Sequence, residues 1–138
     1  MITTSDIVIF ATTATTPYVM ESEIFSHNPI VLNVSLRDIA PNIILASHNI
    51  VDDIDHCLKA NTSPHLAEQA CGHRDFITGT LPGLLAGDPA PDRSKPIIFS
   101  PFGMGILDLA VGLLVYEAAR ASGDLIAVPD FFHELTRI

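Results

Sequence analysis

Tryptophan is absent from this chain of 138 residues, cysteine occurs only twice, and lysine and arginine together number only seven. Each shortage removes a class of protein. Two cysteines cannot supply the disulfide framework of a small secreted domain, so Cys57 and Cys71 are expected to be free thiols in a reducing, cytoplasmic setting. Seven basic residues against sixteen acidic ones give a formal charge of −9. No block of Lys or Arg could neutralise phosphates, which makes nucleic acid and anionic membrane poor partners. No basic segment followed by an apolar stretch and a cleavage site opens the chain. An uninterrupted long apolar run is also lacking: Ile97 to Tyr116 has the length to span a bilayer, but Pro101, three glycines and Asp108 break it.

Apolar residues, by contrast, are plentiful: 48% of the chain is hydrophobic and its mean hydropathy is +0.38. That content supports one core and leaves no room for two. Asp6 to Thr12 is a short continuous apolar run bounded by polar residues, the pattern of a strand buried on both faces. Ile30 to Ser35 repeats it, Asn49 to Asp53 is a shorter candidate, and Pro96 to Ser100 is a fourth. Weak helical signals lie at Glu21 to Ser26 and Asn42 to Ala46, and a better one at Ser63 to Ala70, with Ser63 as N-cap before Pro64. Gly105 to Ala121 reads as the one long helix, with Ile106, Leu109, Ala110, Leu113, Leu114 and Ala118 on one face and Gly123 closing it. A polar, proline-rich loop from Gly87 to Lys95 separates the first three strands from the last unit. The expected fold class is α/β with a parallel sheet. The chain opens almost directly in a buried strand, so a covering segment upstream is expected to be missing, or else a dimer protects the edge.

The stretch Phe99-Ser-Pro-Phe-Gly-Met-Gly-Ile-Leu-Asp108 resembles a nucleotide loop, since a glycine turn joins a strand to a helix. The dinucleotide fingerprint, however, needs a small third residue for close packing, and Asp108 stands there. The glycines are therefore read as turn residues. Asp52, Asp53, Asp55, His56, Cys57, His65, Cys71 and His73 are rich in metal-binding atoms, but their spacing matches no zinc module. No metal is expected. Asp38 follows the second strand and should lie in the crevice at a strand's carboxyl end, where a carboxylate can be desolvated and can shuttle a proton. A turn or cap aspartate is the plainer alternative, and a pairing with Arg37 would oppose the shuttle role. The segment Ala11-Thr-Thr-Ala-Thr-Thr-Pro17 offers hydroxyls and N–H groups to a ribose or carboxamide, and is also ordinary turn chemistry.

Taken in order, Asp6-Ile-Val-Ile-Phe-Ala-Thr-Thr-Ala-Thr-Thr-Pro17, Leu32-Asn-Val-Ser-Leu-Arg-Asp38, Ile50-Val-Asp-Asp53 and Phe99-Ser-Pro-Phe-Gly-Met-Gly-Ile-Leu-Asp-Leu-Ala110 resemble the ornithine cyclodeaminase and mu-crystallin family. Ser-Leu-Arg-Asp38 with Ser-Pro-Phe-Gly-Met-Gly is most like its siderophore branch, the dehydrogenases of N-(2-amino-2-carboxyethyl)-L-glutamate that release 2,3-diaminopropionate. The resemblance covers nearly all of this chain and only the C-terminal portion of such a protein. It implies the second half of a Rossmann-like NAD-binding domain over residues 1–87. The final strand and the helix returning toward a dimerisation domain would then occupy 88–138. It also implies NAD as cofactor, with Thr12 and Thr13 lining it after a strand, Ser35 and Leu36 near the nicotinamide, Phe102 and Gly103 in the loop closing over it, and Asp38 as the catalytic proton-transfer residue. The pyrophosphate loop would lie upstream, so the chain is expected to be inactive alone and to pair with a second copy or a partner supplying that half. A cyclodeaminase and a non-catalytic interaction module are the alternatives.

Overall fold

The computed structural model describes residues 2–129. It divides into two compact units, one ending at Met104 and the other beginning at Gly105. The first is a five-stranded, wholly parallel sheet made of β1 (Ile7–Phe10), β2 (Ile30–Asn33), β3 (His48–Val51), β4 (Ile77–Thr80) and β5 (Ile97–Ser100), in the order β1-β2-β5-β3-β4. Between the strands run a 3-10 turn at Ser22–Phe25 and the helices α1 (Pro41–Leu45), α2 (Ile54–Cys57), α3 (Ser63–Cys71) and α4 (Leu81–Ala86). The fold is α/β, a Rossmann-like half-domain, as its four apolar runs imply.

Register explains why those runs are apolar throughout. Val8 pairs with Val31, Val31 with Ile98, and Asn49 with Ile98, so these residues share one face. That face carries the core, where Val8, Phe10, Val31 and Ile98 meet Phe25, Ile39, Ile43, Ile44, Leu58 and Ala67. The connections β1 to β2, β2 to β3 and β3 to β4 all step the same way across the sheet, and right-handed crossovers then put them on the same side. Phe10 and Phe25 meet edge to face at 6.4 Å between ring centres. The opposite face presents Ile7, Ile30 and Ile97 in one row and Ile9, Leu32 and Phe99 in the next. At the β1 edge this second face is open, with Ile7 58% and Ile9 62% exposed. The expectation that this strand is buried on both faces is corrected here: only Val8 and Phe10 are covered.

Four further elements differ from the sequence reading. β4 was not anticipated, because Ile-Thr-Gly-Thr80 carries a single apolar residue and forms an edge beside β3. The short helices α2 and α4 follow strand ends and are capped by Asp53 and Thr80. The N-cap of α3 is Thr62, not Ser63: the Thr62 hydroxyl accepts from the His65 N–H at 3.1 Å, and Ser63 is already helical. Gly72 closes α3 in the left-handed conformation.

The second unit is α5 (Gly105–Ser122), an 18-residue helix. The Asp124 N–H donates to the Ala119 carbonyl at 2.9 Å while Gly123 takes φ 80°, a Schellman closure. None of its residues is buried, and Leu107, Val111 and Val115 are exposed beside the expected apolar stripe. No helix among the described residues is long and apolar enough to cross a membrane.

Candidate functional site

Strand order fixes the order of loops along the carboxyl edge of the sheet. The turn after β1 carries Thr12, the turn after β2 carries Ser35 to Asp38, that after β5 carries Phe102 and Gly103, and that after β3 carries Asp52. Open parallel sheets bind ligands at this edge.

Asp38 is fully buried. Thr12 Oγ1 donates to its Oδ1 at 2.6 Å, and Ser35 Oγ donates to its Oδ2. Thr12 Oγ1 in turn accepts from the Ala14 N–H at 3.3 Å, which directs its own proton toward the carboxylate. The backbone around Asp38 is clamped from two sides. Its carbonyl accepts from the Tyr18 and Val19 N–H groups at 3.0 and 2.9 Å, and the Ile39 N–H donates to Ser63 Oγ at 3.2 Å. Arg37 does not pair with Asp38; its guanidinium donates to the Ala60 carbonyl at 2.8 Å. Above this arrangement lies an open cavity of about 290 Å³ lined by Thr12, Thr13, Ala14, Thr15, Leu36 and Arg37. Thr12, Thr13 and Leu36 therefore face one space, while Ser35 turns inward to Asp38.

A second buried carboxylate stands further along the edge. Asp52, 5% exposed, accepts from the Phe102 N–H at 2.9 Å and the Gly103 N–H at 2.6 Å on Oδ2, and from the Asp53 N–H at 2.8 Å on Oδ1. The strand end beneath that loop is also fastened. Asn33 Nδ2 donates to Ser100 Oγ at 3.2 Å, and the Cys57 thiol donates to the Ser100 carbonyl at 3.3 Å. Burial pushes the Cys57 thiol up from 9.0 to about 12, with the charges of Asp52 and Asp53 adding to the rise. Gly103 takes φ +99°, which confirms its reading as a turn glycine.

Sequence reading placed Asp52 only among possible metal ligands. The informative signal was its position one residue past an apolar strand, the same logic that singled out Asp38. The rest of that polar cluster disperses into structural roles. Asp53 caps α2, Asp55 and Glu68 both pair with Arg74 at 2.9 and 2.6 Å, and Cys71 donates to the His73 carbonyl at 3.2 Å. Among the described residues, no three His, Cys, Asp or Glu side chains converge as metal ligands. A larger cavity of about 490 Å³ is lined by Ser47, His48, Phe76 and Lys95 at the amino ends of the strands, away from the carboxyl edge.

Fold and edge together define a Rossmann-like, nucleotide-binding class of α/β architecture. The chain matches no family model and no curated protein sequence. Among solved structures, the crystal structure of CmnK superposes with a TM-score of 0.75 over 95% of this chain at 29% sequence identity. The chain spans about 40% of the length of CmnK.

Proposed function

We propose that this chain is the nicotinamide-facing, C-terminal portion of an NAD-dependent amino-acid dehydrogenase of the ornithine cyclodeaminase and mu-crystallin type. Its substrate is N-(2-amino-2-carboxyethyl)-L-glutamate and its product 2,3-diaminopropionate, a siderophore building block. It works in the cytoplasm as a homo-oligomer or with a partner supplying the upstream half. The observation that carries this reading is Asp38, a buried carboxylate held by two hydroxyls at the carboxyl edge, directly below a cavity lined by threonines. The likeness to CmnK along nearly the whole chain supports it.

The residues present fit the nicotinamide end of a dinucleotide and not its pyrophosphate. Threonine hydroxyls and Leu36 give the cavity a polar wall and an apolar patch, whereas the glycine turn at Gly103 is already bound to Asp52. On this fit Thr12, Thr13 and Leu36 hold the nicotinamide side, Ser35 supports it from within through Asp38, and Phe102 and Gly103 close it. When bound, NAD supplies the hydride acceptor for oxidation of an amino-bearing carbon, and water then hydrolyses the resulting imine. Asp38 handles the protons that this sequence releases and consumes. Because its side chain has no exposed surface, Thr12 Oγ1 is its route to the cavity: a proton on Asp38 passes to Thr12 while Thr12 gives up its own outward. Arg37, committed to Ala60, leaves the carboxylate free for that exchange.

Titration calorimetry with NAD and NADH on the purified chain, beside light scattering, tests the reading. Saturable binding of NADH that is lost on Thr12→Val supports it, and a folded chain that binds neither nucleotide rejects a working site in this chain. A second reading, an interaction module, is favoured by the exposed Ile7 and Ile9 on the β1 edge. A concentration-dependent oligomer without nucleotide binding would favour that reading instead.

A further inference from the structure

The backbone N–H groups of Phe102 and Gly103 share one carboxylate oxygen. Phe102 is 37% exposed, and nothing lies within 4 Å of a Cβ built on Gly103, so the Gly103 side of this loop is open. Both of its N–H groups converge on Asp52 Oδ2, fifty positions earlier in the chain, and the remaining oxygen takes the Asp53 N–H. We infer that Asp52 is a positioning residue for the cofactor-facing loop: its buried carboxylate sets the Phe102 and Gly103 backbone, and through it the surface that closes beside Asp38. This rests on reading the carboxyl edge as nicotinamide-facing.

The chemistry demands a carboxylate at this position. All three donors are backbone N–H groups, which can only donate, and they occupy both oxygens of Asp52. Asparagine offers one acceptor and turns its own NH₂ toward a backbone N–H, so one side of the seat becomes repulsive. Glutamate adds a methylene where only 5% of the residue is exposed. Cys57 and Asn33 hold Ser100 from below, so the strand end stays in place while the loop it carries depends on Asp52.

Amide hydrogen exchange on the full chain reads the anchor directly. Phe102 and Gly103 amides should be protected in the wild type and fast in Asp52→Asn, while Val31 and Ile98 amides stay protected. NADH affinity should fall by about tenfold or more in Asp52→Asn, the size expected for lost charge-assisted hydrogen bonds, while the protected core amides show that the fold itself is kept. Gly103→Ala attacks the same loop from its exposed side by forcing a side chain to φ +99°, and should weaken NADH without touching core exchange. Fast exchange at both amides in the wild type overturns the anchor. Unchanged NADH binding by both variants, or a loss of binding accompanied by fast exchange at Val31 and Ile98, overturns the positioning role. A wild type that binds no NADH overturns the nicotinamide reading and this role with it, and the exchange pattern then still reports whether the seat exists.

Discussion

Two buried carboxylates stand at the carboxyl edge, at the β1–β2 end and the β5–β3 end, and they are held in opposite ways. Neither forms an ion pair among the described residues. Asp38 accepts from two side-chain hydroxyls, and Asp52 accepts from three backbone N–H groups. A hydroxyl can turn and accept as readily as it donates, so the surroundings of Asp38 serve both a carboxylate and a carboxylic acid. A backbone N–H cannot reverse, so the surroundings of Asp52 serve an acceptor only. The difference separates a group suited to exchanging protons from one suited to holding a loop, although both are buried acids one residue or a few past a strand.

Asp38→Asn breaks the comparison most sharply. Turnover, measured as NADH formation in the assembly that supports it, should fall by about 100- to 10,000-fold, because the amide cannot exchange a proton. Stability should change little, since Thr12 and Ser35 can rotate to meet an amide. Asp52→Asn should show the reverse emphasis: a loss of about 2–3 kcal/mol in urea denaturation, because its N–H donors cannot adapt. Equal stability losses in the two variants would erase the distinction.

Position was legible in the sequence where physics is local. β2, β3 and β5 announced themselves because strands in the middle of a parallel sheet carry apolar residues on both faces, β1 did so because even its open face carries Ile7 and Ile9, and the turn after β2 put Asp38 at the edge. β4 stayed hidden because, unlike the other edge strand β1, its Ile-Thr-Gly-Thr80 has little apolar content to show. The cap of α3 was off by one residue because Thr62 and Ser63 both offer hydroxyls before Pro64, and only the bond to the His65 N–H chooses between them. Partners distant in sequence were illegible. Nothing near Asp52 signals that its donors are Phe102 and Gly103, and nothing near Asp38 signals that Thr12 covers it.

Smaller changes sharpen the comparison within each site. Ser35→Ala and Thr12→Val each remove one donor from Asp38 and should each cost about 1 kcal/mol. Their double-mutant cycle should show coupling, because the second loss strands a carboxylate that the first left with one partner. Additive losses would mean that solvent replaces the hydroxyls and that Asp38 is less enclosed than its geometry shows.

The smallest effect concerns the Cys57 thiol, which reports on Asp52 from beneath the loop. Its pKa is raised to about 12 by burial first, then by the negative charges of Asp52 and Asp53. Between its ordinary value of 9.0 and about 12 the native state keeps a proton that the unfolded chain releases. The stability tied to that proton is therefore complete below pH 9.0 and is lost as pH rises toward about 12. The urea midpoint should accordingly decline through this window, and Cys57→Ala should flatten the decline. Asp52→Asn removes one of the charges and should lower the thiol's titration, followed by NMR of carbon-labelled cysteine, whereas Asp38→Asn should leave it in place. If both variants moved it alike, Asp52 would have no closer tie than Asp38 to the strand end that carries Ser100, and the two carboxylates would belong to one continuous site.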